Sequence, residues 1–158
     1  MSWLFQYIKS AGSNFSKVTD RLYRSAQPTA KQLVEYRDKY GIEAVLDLRD
    51  DVEDEEKKEV EDAGLLWTAV PMSDTEAPNE SQVFQALQVL KSDFTTLVFC
   101  KGGRHRTGLM VAVYQVAVKG VSKKAAWGEA YKFGFYRHGG HGPIEDWFLN
   151  EFDPKRFR

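Results

Sequence analysis

Residues 96–119 constrain the fold more than any other stretch. Thr96-Leu97-Val98-Phe99 is a short apolar run. Cys100 to Arg106 is glycine-containing and basic, and Thr107 to Lys119 carries apolar residues on most sides of a helical pattern. An apolar run of this length before glycines reads as a buried strand, and the segment beyond it as a buried helix. A strand that enters a helix through a tight loop is half of a βα unit. Such units assemble into mostly parallel sheets with helices on both faces. The only cysteine of the chain stands where this strand ends.

Each residue type in the loop has a physical task. The first turn of a helix has backbone N–H groups without intrahelical partners, and these can hold an anion. Gly102 and Gly103 permit the backbone angles and close approach that a phosphate cradle needs. Arg106 can fork two parallel hydrogen bonds onto a phosphate, with Lys101, Arg104 and His105 adding to the anion site. The same positive field favours a Cys100 thiolate, a nucleophile towards phosphorus. Thr107 has a hydroxyl that can assist the sulfur as it leaves. Free cysteines are often simply core residues. Glycine, arginine and threonine all at set offsets from Cys100 favour the chemical reading.

These residues resemble the signature of the cysteine-dependent protein tyrosine phosphatases, in their compact atypical dual-specificity class: His-Cys-x-x-Gly-x-x-Arg-Ser/Thr. The chain has Phe99 where that signature has histidine, and matches it from Cys100 to Thr107. Upstream, Leu22 to Pro28, Leu46 to Arg49 and Leu66 to Pro78 are similar to the first strands and acid-bearing loop of a bacterial, fungal and plant branch of that class. The resemblance spans most of residues 15–150. It implies a three-layer α/β fold with a central, mostly parallel sheet of four to five strands. It also implies phosphate monoester hydrolysis through a phosphocysteine, with no cofactor and no metal.

Cleavage of a phosphate ester by a thiolate needs a proton for the leaving oxygen, which a positioned carboxylic acid supplies. Asp74 is the expected acid, because it lies in a short proline-bounded loop past a predicted strand. Glu76, two residues on, is the alternative.

The rest of the chain fits one domain over its 158 residues. Thr29-Ala30-Lys31-Gln32 and Asn79-Glu80-Ser81-Gln82 have the form of capping boxes. Strands are expected near Leu22–Arg24, Ala44–Leu48 and Leu65–Val70. The acidic run from Asp50 to Glu56 suggests a solvated helix with acids at its N-terminal end. Ser122 is expected to cap a helix to about Phe133, and a last helix to begin at Ile144. The apolar segment 1–14 is expected to pack on the domain rather than enter a membrane. His138 and His141, among glycines, lack a third metal ligand at a suitable spacing and are assigned to a surface turn, with Arg137 or His138 within reach of substrate.

A net charge of −1 gives no general attraction to nucleic acid or anionic membrane. One cysteine suits a reducing, cytoplasmic setting. The leading substrate class is phosphotyrosine or other phosphorylated protein side chains. Inositol polyphosphates or phosphoinositides are the alternative, because Lys101 and Arg104 flank the glycines as basic residues do in phosphoinositide phosphatases. A phosphate-binding module without turnover is the third reading, on the strength of Phe99. Sulfur transfer of the rhodanese type fits the Arg106-Thr107 pair less well.

Overall fold

A computed structural model describes residues 13–51 and 54–158. Its strands are β1 (Ser16–Thr19), β2 (Leu22–Ala26), β3 (Ala44–Asp47), β4 (Leu66–Ala69) and β5 (Thr96–Cys100), in the sheet order β1-β2-β5-β3-β4. The β2, β3, β4 and β5 pairings are all parallel, and β1 adds an antiparallel edge through β2. The helices are α1 (Ala30–Tyr40), α2 (Asp54–Asp62), α3 (Glu80–Leu90), α4 (Arg106–Ala117), α5 (Lys123–Lys132) and α6 (Gly142–Asn150), followed by a short 3-10 turn, Pro154–Phe157. The three-layer α/β architecture expected from the sequence is the one observed.

Alternation along β5 divides the core. Val98 and Cys100 face a large cluster built by α3, α4, α5 and α6, whereas Leu97 and Phe99 face a smaller one built with α1 and α2. The helix after the cysteine is the hub of the larger cluster, with Leu109, Met110, Ala112 and Val113 at most 1% exposed. Its all-round apolar pattern thus becomes burial on every side. In the smaller cluster Phe15 stacks on Tyr23 and Tyr36.

Both expected capping boxes form: Thr29 with Gln32 at α1, and Asn79 with Gln82 at α3. One element was not expected, and two expectations need correction. β1 was not anticipated, because its four residues pair only through a local hairpin and show no buried face. The acidic run is not uniformly solvated: Glu56 is buried, with Gln27 Nε2 donating to its Oε2 at 3.3 Å. The last helix begins at Gly142, with Pro143 in its first turn, where a missing N–H does no harm. Most of the apolar N-terminal segment lies outside the described residues.

Candidate active site

The carboxyl ends of β2 and β5 lie side by side, Ala26 opposite Cys100, and the phosphate loop grows from this pair. Gln27 N donates to Lys101 O at 3.1 Å and ties the start of the loop to β2. The loop then passes so close to β2 that a Cβ on Gly103 would meet Ser25 O at 2.6 Å, and Gly103 has φ of 69°. Glycine is therefore required at position 103 by both space and backbone angle. At Gly102 a Cβ would meet nothing nearer than 3.9 Å, so the expected need for two glycines reduces to one.

Arg24 braces the loop from beneath. It is 1% exposed, donates from a terminal nitrogen to Gly103 O at 3.1 Å and lies 4.1 Å from the Phe133 ring centre. Burial pushes its pKa down to about 10, against the opposing influence of Glu129 and Cys100. Asn14 Nδ2 donates to the same carbonyl and to Phe133 O. Neither residue was singled out from the sequence.

The loop enters α4 at Arg106, after His105, whose side chain makes no cap hydrogen bond. The first-turn N–H groups are thereby left for an anion. The Arg106 side chain is 7% exposed and donates to Asp50 Oδ1 at 2.9 Å and to Met72 O at 3.2 Å. Asp50, read from sequence as part of a solvated acidic run, instead orients the arginine. Arg106 Nε and Thr107 Oγ1 are buried without hydrogen-bond partners among the described residues. A buried polar group left so costs about 1–3 kcal/mol, which an oxygen ligand would relieve. Thr107 Oγ1 thus makes no bond to the Cys100 sulfur in this arrangement.

Phe99, where the resembling family has histidine, is fully buried against α1 and α2, with the Arg49 guanidinium 5.8 Å from its ring centre. Arg49 forms a two-pronged pair with Asp47, Nε to Oδ1 at 3.0 Å and a terminal nitrogen to Oδ2 at 2.8 Å. Burial acts to lower the Arg49 pKa, but its bonds and charge pairing with Asp47 prevail and raise it.

Cys100, Lys101, Gly102, Arg104, His105 and Arg106 line a pocket of about 210 Å³, closed on its other side by Asp74, Tyr136 and His141. Glu76 is exposed and does not line the pocket. The Asp74 loop is turned by Ser73, whose Oγ accepts from the backbone N–H groups of Thr75 and Glu76, both at 3.1 Å. The Asp74 carboxylate is not needed to close that turn. Gly103 and Thr107 lie beneath the pocket, buried.

His141 corrects the sequence reading. It is buried, stacks on His105 and donates from Nδ1 to the Asp74 carbonyl. Arg137, expected within reach of substrate, is held by Glu145 and Asp146 on α6. Burial and the neighbouring His141 push His105 down to about 4, against a hydrogen bond from its imidazole to the Tyr136 backbone that favours the charged form.

A larger groove of about 640 Å³ runs beside the pocket and shares Lys101 with it. Its walls include Arg49, Asp51, Glu55, Glu56 and Glu59, and Cys100 is not among them. The chemistry therefore belongs to the smaller pocket.

Residues 18–120 match the family model described as "Polymorphic toxin system, DSP-PTPase phosphatase". A curated relative, the dual specificity protein phosphatase TpbA of Pseudomonas aeruginosa, is 28% identical over 135 residues, which cover 84% of this chain and 57% of TpbA. The chain thus spans little more than half the length of that relative. A crystal structure of a P. aeruginosa TpbA variant in complex with pTyr superimposes with a TM-score of 0.74 at 25% identity, over 92% of this chain and 88% of that one. The core catalytic domain of the PP-IP phosphatase Siw14 from S. cerevisiae, in complex with citrate, shares the fold, with a TM-score of 0.75 at 22% identity over 90% and 88% of the two chains.

Proposed function

The chain belongs to the DSP-PTPase phosphatase family of polymorphic toxin systems, and from that premise we infer that it hydrolyses phosphate monoesters through a phosphocysteine, acting on phosphotyrosine and other phosphorylated protein side chains. The observation that carries this reading is the convergence of Cys100, Arg106 and Asp74 on one pocket. The Cys100 thiolate attacks phosphorus, forming an S–P bond as the P–O bond to the leaving group breaks. Arg106 and the first-turn N–H groups hold the phosphoryl oxygens as charge builds on them. Asp74 gives its proton to the leaving oxygen. The same aspartate then takes a proton from water, which attacks phosphorus and releases phosphate and the thiolate. Every proton and electron pair in these two steps is supplied by Cys100, Asp74 and water. The Tyr136 ring gives the pocket an aromatic wall suited to a planar phenyl ring.

Inositol polyphosphates are the second reading, favoured by Lys101 and Arg104 at the exposed rim. The carboxylates of the adjoining groove oppose it, since they repel a polyanion. A single reactive thiol works best in a reducing compartment, and on that ground we assign the chain to the cytoplasm. Among the described residues no helix is long and apolar enough to cross a membrane.

Phosphate release from phosphotyrosine and phosphothreonine peptides, soluble inositol polyphosphates and phosphoinositides, by wild type and Cys100→Ser, tests the reading. Cysteine-dependent release, fastest from phosphotyrosine, is expected. Fastest release from an inositol polyphosphate moves the assignment to the second class. No cysteine-dependent release from any of them leaves a phosphate-binding module.

A further inference from the structure

His141 reaches both the acid loop and the phosphate loop. Its imidazole stacks on that of His105, with centroids 3.5 Å apart and planes at 16°. Its Nδ1–H donates to the Asp74 carbonyl oxygen. A carbonyl only accepts, so Nδ1 carries the proton. Tyr136 sets its ring edge-on to both imidazoles, 4.5 Å from His105 and 5.3 Å from His141. The segment that carries His141 also fits the acid loop at Gly140, where a Cβ would come within 3.2 Å of Thr75 Cγ2. Other ties on the acid loop lie before Asp74: Met72 N donates to Leu48 O, and Gln82 Nε2 to Pro71 O. The bond to His141 is made at the acid itself.

We propose that His141 is a positioning residue for the general acid, clasping the Asp74 loop to the Cys100 loop through the His105 stack. The inference rests on Asp74 being the acid. Its physical basis is the steep distance dependence of proton transfer: misplacing a catalytic group by about 1 Å can cost on the order of 10²-fold in rate. His141 touches no reacting atom in this role. It fixes where the Asp74 carboxyl meets the leaving oxygen.

The clasp predicts a selective defect that general loosening of the fold does not produce. Turnover is compared for phenyl phosphate, whose leaving group needs a proton, and dinitrophenyl phosphate, whose leaving group does not. His141→Phe keeps an aromatic ring for the stack and loses the bond. It is expected to lower kcat on phenyl phosphate by roughly 10–100-fold and on dinitrophenyl phosphate by under about threefold. His141→Asn, whose amide can replace the Nδ1 donor but not the stack on His105, is expected to recover only part of the loss. Should His141→Phe fail to fold, as judged by its melting transition, His141→Ser, too short to reach the carbonyl, takes its place. Equal losses on both substrates, or no loss on either, overturn the proposal. Asp74→Asn is the benchmark. If it too shows no selective loss, the acid assignment falls and the clasp with it. If it shows the loss and His141→Phe does not, only the clasp falls. A wild type inactive on both esters overturns the hydrolase reading itself.

Discussion

The phosphate loop is fixed chiefly by its flanking strand and helix backbone, with Arg24 and Asn14 bracing one carbonyl, whereas the acid loop at Asp74 is fixed chiefly by side chains. Lys101 to His105 is bounded by a central strand and a buried helix, anchored to β2 through Gln27 and pressed against it at Gly103. The Asp74 loop leaves the sheet beyond an edge strand, curls around the Ser73 hydroxyl and meets the pocket through His141. The contrast suits the chemistry. The phosphoryl group needs a rigid cradle whose dipoles do not reorganise during reaction. The acid has only to reach one oxygen, and a side-chain tie suffices for that.

The two halves should break differently. The largest effect is expected at the nucleophile: Cys100→Ser should lower phosphate release by more than about 10³-fold, while the variant still binds phosphate or vanadate in a thermal-shift titration. Next comes Gly103→Val, which sets a branched side chain into a contact of 2.6 Å at a positive φ. It should destabilise the fold by about 3 kcal/mol or more, read from urea unfolding, because backbone cannot yield as a side chain can. Val113→Ala, in the helix behind the loop and 0% exposed, should cost about 2–3 kcal/mol with little change in turnover per folded molecule. Together these would show that the cradle depends on local backbone rather than on overall stability.

A smaller effect should appear with pH. His105 is held near 4 in the fold, against 6.5 for the free side chain. Between those values the unfolded chain binds more protons, so stability falls as pH drops from 6.5 towards 4 and is level above 6.5. The change attributable to His105 is on the order of 1–2 kcal/mol after allowance for solvent screening at the pocket. His105→Gln should flatten the melting temperature over that window. Smallest is Asp50→Asn: half of the Asp50 side chain is exposed, so loss of its pairing with Arg106 should raise KM by only about two- to fivefold. A much larger loss would mean that Asp50 orients the arginine as firmly as the backbone orients the loop.

The same contrast explains what could be read from the sequence. The phosphate loop is contiguous, so its nucleophile, arginine and helix start occur in one line of text. The alternation of strands and helices, with two capping boxes, was legible because each signal is local. Asp74 was reached through its place in a proline-bounded loop past a strand. His141 was not, because its role depends on stacking with a residue far away in the chain, and glycine neighbours made it look like surface turn. Asp50 was hidden in a run of acids whose simplest reading is a solvated helix end. Arg24 looked like an ordinary polar residue in a strand, since nothing local shows that a loop will cross above it.

The central claim is that Cys100 itself carries the phosphoryl group. Rapid acid quench of the full chain mixed with a radiolabelled phosphotyrosine peptide, followed by proteolysis and mass analysis, addresses it directly. The account predicts label on the peptide containing Cys100, formed within the first turnover and absent from Cys100→Ser. Phosphate release without labelled Cys100, or label that persists in Cys100→Ser, would contradict it.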